Sequence, residues 1–233
     1  MQASITRWLL RFLPDEAAPP LGERLISALA VAAGVLFVAV TSMLVIGSPG
    51  YLVAAVGASA CILFCLPASP LAQPWAVIGG YLLSATIGLA VLPAGWPVPV
   101  AAALAVGLSV LAMMLLRCLH PPSGALALSV VLTGDRVAAA GFQFVLFPVA
   151  LNAALLVLAA LILNNALPNR HYPRRTGATH SHRGFSARHL HAALGEYGHV
   201  LAMSEEELDQ IITLAEQRAK VASTTVKADR HRS

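Results

Sequence analysis

The sequence predicts an all-α fold, a polytopic bundle of membrane helices, and three observations carry that prediction. Of its 233 residues, 58% are apolar and only 11% are charged, against roughly a quarter charged in an ordinary soluble domain. Between Leu25 and Val131 the one permanently charged side chain is Arg117, and no water-facing surface can be built from such a stretch. The apolar runs are also broken by Pro and Gly clusters at intervals that suit bilayer-length helices.

Residues 1–20 read as an interfacial amphipathic helix and turn. Ile5, Trp8, Leu9, Phe12 and Leu13 recur at helical spacing with Arg7 and Arg11 between them, and Pro14, Pro19 and Pro20 end the helix. The scattered charges and the missing small-residue cleavage site argue against a cleaved signal. Leu25 to Ile46 follows as a first long span, about 33 Å of helix against a hydrocarbon core of roughly 30 Å. After Gly47-Ser48-Pro49-Gly50, the run Tyr51 to Leu66 reaches only about 24 Å and reads as re-entrant or broken. Trp75 to Leu92 and Val98 to Leu116 are two more long spans. Pro121 to Leu132, about 18 Å, is the second short segment, and Phe142 to Leu163 is the fourth long span.

The order long, short, long, then long, short, long, reads as a two-fold internal repeat. Each short segment opens on a Pro/Ser/Gly cluster, as paired broken helices of transporters do. A tilted bundle with two short buried helices is the plainer alternative. The transmembrane domain thus covers residues 21–168. A polar, His-rich linker, residues 169–185, precedes a helical cytoplasmic segment, residues 186–222. There Ser204 and Glu207 form a capping box, and Leu208, Ile211, Ile212 and Ala215 form a stripe. Residues 223–233 read as a disordered tail.

Arg7, Arg11 and Arg24 precede the first span and Arg170, Arg174 and Arg175 follow the last. By the excess of cations in cytoplasmic loops, both termini are expected in the cytoplasm of a multi-pass protein of the cell (inner) membrane. Four and six crossings satisfy this parity equally. The net charge of +4 comes from these flanks and forms no basic stripe with interleaved aromatics, so nucleic acid is excluded as a partner. Cys61, Cys65 and Cys118 lie in apolar runs and imply no disulfide framework. His180, His182, His189 and His191 lack the Cys or carboxylate companions of a metal site, so no metal and no cofactor is expected. The expected partners are a small inorganic anion and the lipid bilayer, with self-association left open.

The stretch from Arg117 to Ala125 carries the most chemistry. Pro121 and Pro122 suit a helix start, because the N–H groups they lack would be unpaired there. Ser123 and Gly124 then offer first-turn N–H groups at the positive end of a helix dipole, an anion site in kind. A second helix start at Ser48 to Gly50 is expected to converge on the same anion at mid-membrane. Gly57 and Ser59 in the first short segment, Ser123 and Asn152 would complete the site, with Arg117 attracting the anion or snorkelling to the interface. His120 is the one ordinary proton carrier of the membrane portion, or else a structural His bonded to a backbone carbonyl freed by prolines.

The triplet His120-Pro121-Pro122 followed by small residues resembles the signature of the HPP family of integral membrane proteins. Gly57-Ala58-Ser59-Ala60, Ser69-Pro70-Leu71-Ala72-Gln73-Pro74 and Ile78-Gly79-Gly80 resemble the first half of that family, and the likeness covers roughly residues 21 to 167. Tyr81 departs from it, since a His is common at that place, so no role is assigned to Tyr81. The resemblance implies an all-helical membrane domain, usually described with four spans, and in members from photosynthetic cells and plastids a role in nitrite transport. Residues 184–219 resemble the linker that precedes paired CBS modules in bacterial members; the chain ends before any such module, at a natural end or a cut one. The expected function is a transporter or channel for a small monovalent inorganic anion, nitrite-like, with a non-transporting membrane sensor or scaffold as the alternative. An enzyme is disfavoured, because the membrane region lacks a Cys/His/carboxylate constellation.

Overall fold

A computed structural model describes residues 19–47, 52–167 and 170–174, together with Leu208, Ile212 and Thr213. The expected N-terminal amphipathic helix, the Ser48 to Gly50 helix start, the linker and almost all of the cytoplasmic segment lie outside the described residues. The helices are α1 (Leu21–Ile46), α2 (Ala55–Cys65), α3 (Pro74–Val91), α4 (Val98–Leu115), α5 (Pro121–Ala140) and α6 (Phe142–Ala166). Five of them are long and apolar enough to cross a membrane, and α2 is the shorter one. The chain is a multi-pass helical membrane protein.

Proline sets the start of three of these helices. It stands at the first or second position of α3, α4 and α5, where its missing N–H costs nothing. Gly47 closes α1 in the left-handed conformation, φ 76°, its N–H bonded to the Met43 carbonyl. At the end of α4 the left-handed position is taken by Arg117, φ 55°. The bonds Cys118 N–H to Met113 O (2.8 Å) and Arg117 N–H to Met114 O (3.2 Å) form a Schellman pair there, a place where glycine is the usual occupant.

Hydrogen bonds tie alternate helix ends to one face, called proximal here. Arg170, after α6, pairs with Glu23 at the start of α1 and donates to Ser27 Oγ (2.7 Å) and to the Phe64 carbonyl at the end of α2 (2.8 Å). Asn164 near the end of α6 donates to the Leu63 carbonyl (3.1 Å). Trp75 at the start of α3 donates to the Leu116 carbonyl behind α4 (3.1 Å), and Tyr172 donates to the Ala72 carbonyl (2.8 Å). Burial pushes the Tyr172 phenol above its ordinary pKa, so this donor keeps its proton. The ends of α1, α5 and α6 that remain meet at the opposite, distal face, where Val45 and Ile46 share a cleft with Ala140, Gln143 and Phe144.

Three expectations are corrected. The segment around α2 does not return to the face it left: Ile46, before it, lies at the distal face and Phe64 reaches the proximal Arg170, with residues 52–54 lining a cleft between. A helix of 11 residues rises only about 16 Å, so part of that passage is made outside it. The second segment expected to be short is helical from Pro121 and breaks at Gly134, but a further helical stretch follows to Ala140, so the two together are 20 residues long. The run Thr133-Gly134-Asp135-Arg136 reads as a helix end, and the backbone leaves the helical region there, at Gly134 (φ 22°, ψ −91°), before a second helical stretch begins. The equivalence of lengths behind the two-fold repeat is therefore absent, and among the described residues five helices, not four, are long enough to cross a membrane. The membrane portion also contains a carboxylate, because Asp135 lies within α5, exposed.

Packing divides the bundle into a mutually packed set, α3, α4 and α5, and a set in which α1 lies against α2 and α6. Small residues allow the close approaches. Gly80, Ser84 and Gly88, one turn apart on α3, present a small-residue stripe, and a Cβ on Gly88 would stand 2.9 Å from the Val130 Cβ and 3.2 Å from the Ala127 carbonyl of α5. On α1, a Cβ at Gly34 would meet the ring of Phe64 at 2.4 Å.

A buried polar centre between three helices

His120, the residue before Pro121, is wholly buried, as are Ser59, Tyr81 and Ser123. Its Nδ1 lies 2.7 Å from the Leu71 carbonyl and its Nε2 lies 2.7 Å from Ser59 Oγ, which in turn lies 2.9 Å from the Tyr81 hydroxyl. A carbonyl oxygen can only accept, so in the neutral imidazole Nδ1 carries the proton and Nε2 accepts from Ser59. The Ser59 oxygen then accepts from Tyr81. The chain runs in one direction: Tyr81 O–H to Ser59, Ser59 O–H to His120, His120 N–H to Leu71.

Local sequence explains the last link. Leu71 belongs to a single 3₁₀ turn, Pro70–Ala72, just before α3. The residue three positions on is Pro74, which has no N–H to give. The Leu71 carbonyl is thereby left for the imidazole. The turn is held by Gln73, whose side-chain amide donates to the Ser69 (2.8 Å) and Pro67 (3.1 Å) carbonyls and accepts from the Arg174 N–H (3.0 Å). The structural alternative for His120, a bond to a carbonyl freed by proline, is thus present at one ring nitrogen, while the other nitrogen faces a second polar chain.

Ser123 stands in the same cluster. A Cβ on Gly80 would lie 2.7 Å from Ser123 Oγ and 3.0 Å from the His120 Cβ, so the absence of a side chain at Gly80 lets α3 and α5 close over the centre. The Ser123 Oγ has no hydrogen-bond partner among the described residues. Its N–H is not uncovered as the sequence suggested, because it bonds the His120 carbonyl at 2.9 Å.

The remaining sequence-chosen residues fall elsewhere. Gly124 is buried with room beside it, the nearest atom to a Cβ being Val106 Cγ1 at 3.8 Å. Gly57 is exposed on α2, and a Cβ there would touch nothing within 4 Å, so it does not face the centre. Arg117 is exposed at the proximal face in its helix-capping position. Asn152 is buried and donates to the Pro148 carbonyl of its own helix, where α6 widens into a π-turn around Pro148. Helical rise from the Asn164–Leu63 bond places Asn152 about 18 Å deep and Ser59 about 6 Å deep, so the two lie at different depths. Residues 52–54, just before α2, share a cleft with α5 residues from Leu126 to Ala140. The Ser48 to Gly50 start expected to converge on the same place lies outside the described residues. Tyr81 is the residue that the sequence reading discounted and the structure brings in.

The fold and this centre define a polytopic membrane protein with a hydrogen-bonded polar core sealed among three helices. The chain belongs to the HPP transmembrane family: the sequence profile described as "HPP, transmembrane region" matches residues 16–173. It is similar to two transmembrane proteins of Dictyostelium discoideum, 41% identical over 126 residues and 38% identical over 127. These matches take in 52% and 53% of this chain but only 44% and 40% of those proteins. No solved structure matches.

Proposed function

We propose that this protein is a transporter or channel for a small monovalent inorganic anion, nitrite-like in size and charge, in the cell (inner) membrane. The observation that carries the reading is the polar centre itself. Ionisable and polar groups inside a membrane bundle are costly and are kept where substrates or protons pass. Here an imidazole, a phenol and two hydroxyls meet at the start of α5, and one of them, Ser123, has its hydroxyl without a partner among the described residues. The nitrite-like character rests on the resemblance to family members from photosynthetic cells. The cations of the proximal face, Arg24, Arg117, Arg170 and Arg174, support placing that face and both termini in the cytoplasm.

The hydrogen-bond chain also gives a way to couple a proton to the anion. A proton on Nε2 turns that nitrogen from acceptor to donor, so Ser59 must reverse its hydroxyl and offer it toward Tyr81. An anion beside the imidazolium favours the charged form, so the two bind together. The opposing reading, a sensor or scaffold without flux, is favoured by one fact: both ring nitrogens of His120 are already satisfied within the protein.

His120→Gln tests the proton step. The variant keeps a hydrogen-bonding group but cannot titrate, so the pH dependence of anion uptake by proteoliposomes between about 5 and 8 should flatten. An unchanged pH profile in the variant would make His120 structural. Ser123→Ala is the companion substitution, chosen because a larger residue would strike Gly80; it should weaken uptake while leaving the melting temperature near wild type.

A further inference from the structure

A cleft of about 500 Å³ opens at the distal face, lined on α5 by Leu126, Ser129, Thr133, Arg136, Val137 and Ala140. Its other wall is Leu52, Val53 and Ala54 before α2, with Phe144 and Pro148 of α6. The lining residues of α5 run from Leu126 to Ala140, on both sides of the break at Gly134. At about 30 Å³ per water the space holds on the order of 15 waters. Ser129, Thr133 and Arg136 recur at helical spacing along its wall. Ser129 and Thr133 donate their hydroxyl protons to the carbonyls of Ala125 and Ser129, which leaves their oxygens and the guanidinium facing the space.

Arg136 has no hydrogen bond or ion pair among the described residues. The other arginines of the described domain are at the proximal face, so Arg136 alone gives the distal end of the bundle a fixed positive charge. The neighbouring carboxylate, Asp135, is exposed and is not part of the lining. Among the lining residues Val53 and Leu126 are buried, and about 9 Å of rise below Leu126 lies His120 with Ser59.

We propose that this cleft is the anion-selecting mouth of the protein, a water-filled vestibule in which Arg136 concentrates small hydrated anions above an apolar gate formed by Val53 and Leu126. The proposal deepens the transporter reading and rests on it for its purpose, but the vestibule has properties that are measurable without flux. An unpaired charge in a cleft with low-dielectric walls focuses the field and raises the local concentration of counter-ions by a factor of ten or more. Removal of the charge should remove the preference while leaving the water.

The test is thiol accessibility in the full-length protein with Cys61, Cys65 and Cys118 each changed to Ala. Ser129→Cys is introduced in that background, and Thr133→Cys in parallel should either disturb the helix. The sulfonate-bearing and the trimethylammonium-bearing methanethiosulfonate reagents are compared, each rate divided by that of a free thiol. The anionic reagent should react about tenfold faster than the cationic one. Millimolar nitrite should slow it, and added Arg136→Gln should bring the two rates within about threefold of one another. Asp135→Asn should leave the preference in place. Failure of both reagents to react would show that the cleft is dry, and a preference indifferent to Arg136→Gln would show that Arg136 does not set it; either result overturns the proposal. If the preference holds while liposomes show no flux, the vestibule stands and the transporter reading fails.

Discussion

Ser59→Ala is the perturbation whose cost follows most directly from the geometry. Ser59 Oγ is the middle of the buried chain, bonded at 2.7 Å to His120 and at 2.9 Å to Tyr81. Its removal leaves two buried groups without partners, the Tyr81 hydroxyl and the Nε2 of His120, and an orphaned buried group costs roughly 1–3 kcal/mol. Hydrogen bonds measured inside a membrane bundle average nearer 0.6 kcal/mol, which draws the sum of the two toward its low end. The expected loss is about 2–3 kcal/mol. Tyr81→Phe removes the terminal donor only: Ser59 still donates to His120, no donor is stranded, and the loss should be about 1 kcal/mol or less. Reversible unfolding in mixed micelles, followed by helix content, gives both numbers. The nitrogen-15 shifts of His120 should report the Nδ1–H tautomer in the wild type. A cost of Tyr81→Phe equal to or above that of Ser59→Ala, or an Nε2–H tautomer, would refute the direction assigned to the chain.

The other predictions use the same logic at other places. Gly88→Ala drives a Cβ to within 2.9 Å of Val130 and 3.2 Å of a backbone carbonyl on α5, and should cost about 1–3 kcal/mol in the same unfolding assay. Gly57→Ala, which meets nothing, should be tolerated without loss. Arg170→Ala removes the group that joins α1 and α2 behind α6; the buried Phe64 carbonyl loses its donor, and a stability loss of about 2–3 kcal/mol is expected, seen as a lower melting temperature in detergent. Arg117→Gly relieves a left-handed non-glycine position, so melting should hold or rise, by up to about 1 kcal/mol, with uptake unchanged; a loss of uptake would return Arg117 to the anion path.

The spans were legible in the sequence because bilayer burial demands continuous apolar helices, and α1, α3, α4 and α6 lie where hydropathy places them. The end of α5 was not legible. Thr133, Gly134, Asp135 and Arg136 have the composition of a helix stop, and the helix does break at Gly134; what that composition does not show is the second helical stretch that follows to Ala140. His120 and Ser123 could be chosen from the proline start of α5, a local feature. The Leu71 acceptor was readable in principle, since Pro74 three residues later cannot donate to it. Tyr81 was not readable, because its pairing with Ser59 depends on how α2 and α3 are rotated against each other. Gly57 and Asn152 fail for the same reason, as helix rotation and depth place them away from the centre.

The measurement that bears most directly on the central claim is flux through purified protein in sealed liposomes under an imposed gradient of nitrite, nitrate or formate. The account predicts that at least one of these anions crosses faster than in protein-free liposomes, and that His120→Gln changes how its rate depends on pH. No movement of any of the three at any gradient, with protein shown to be folded and inserted, would contradict the transporter reading.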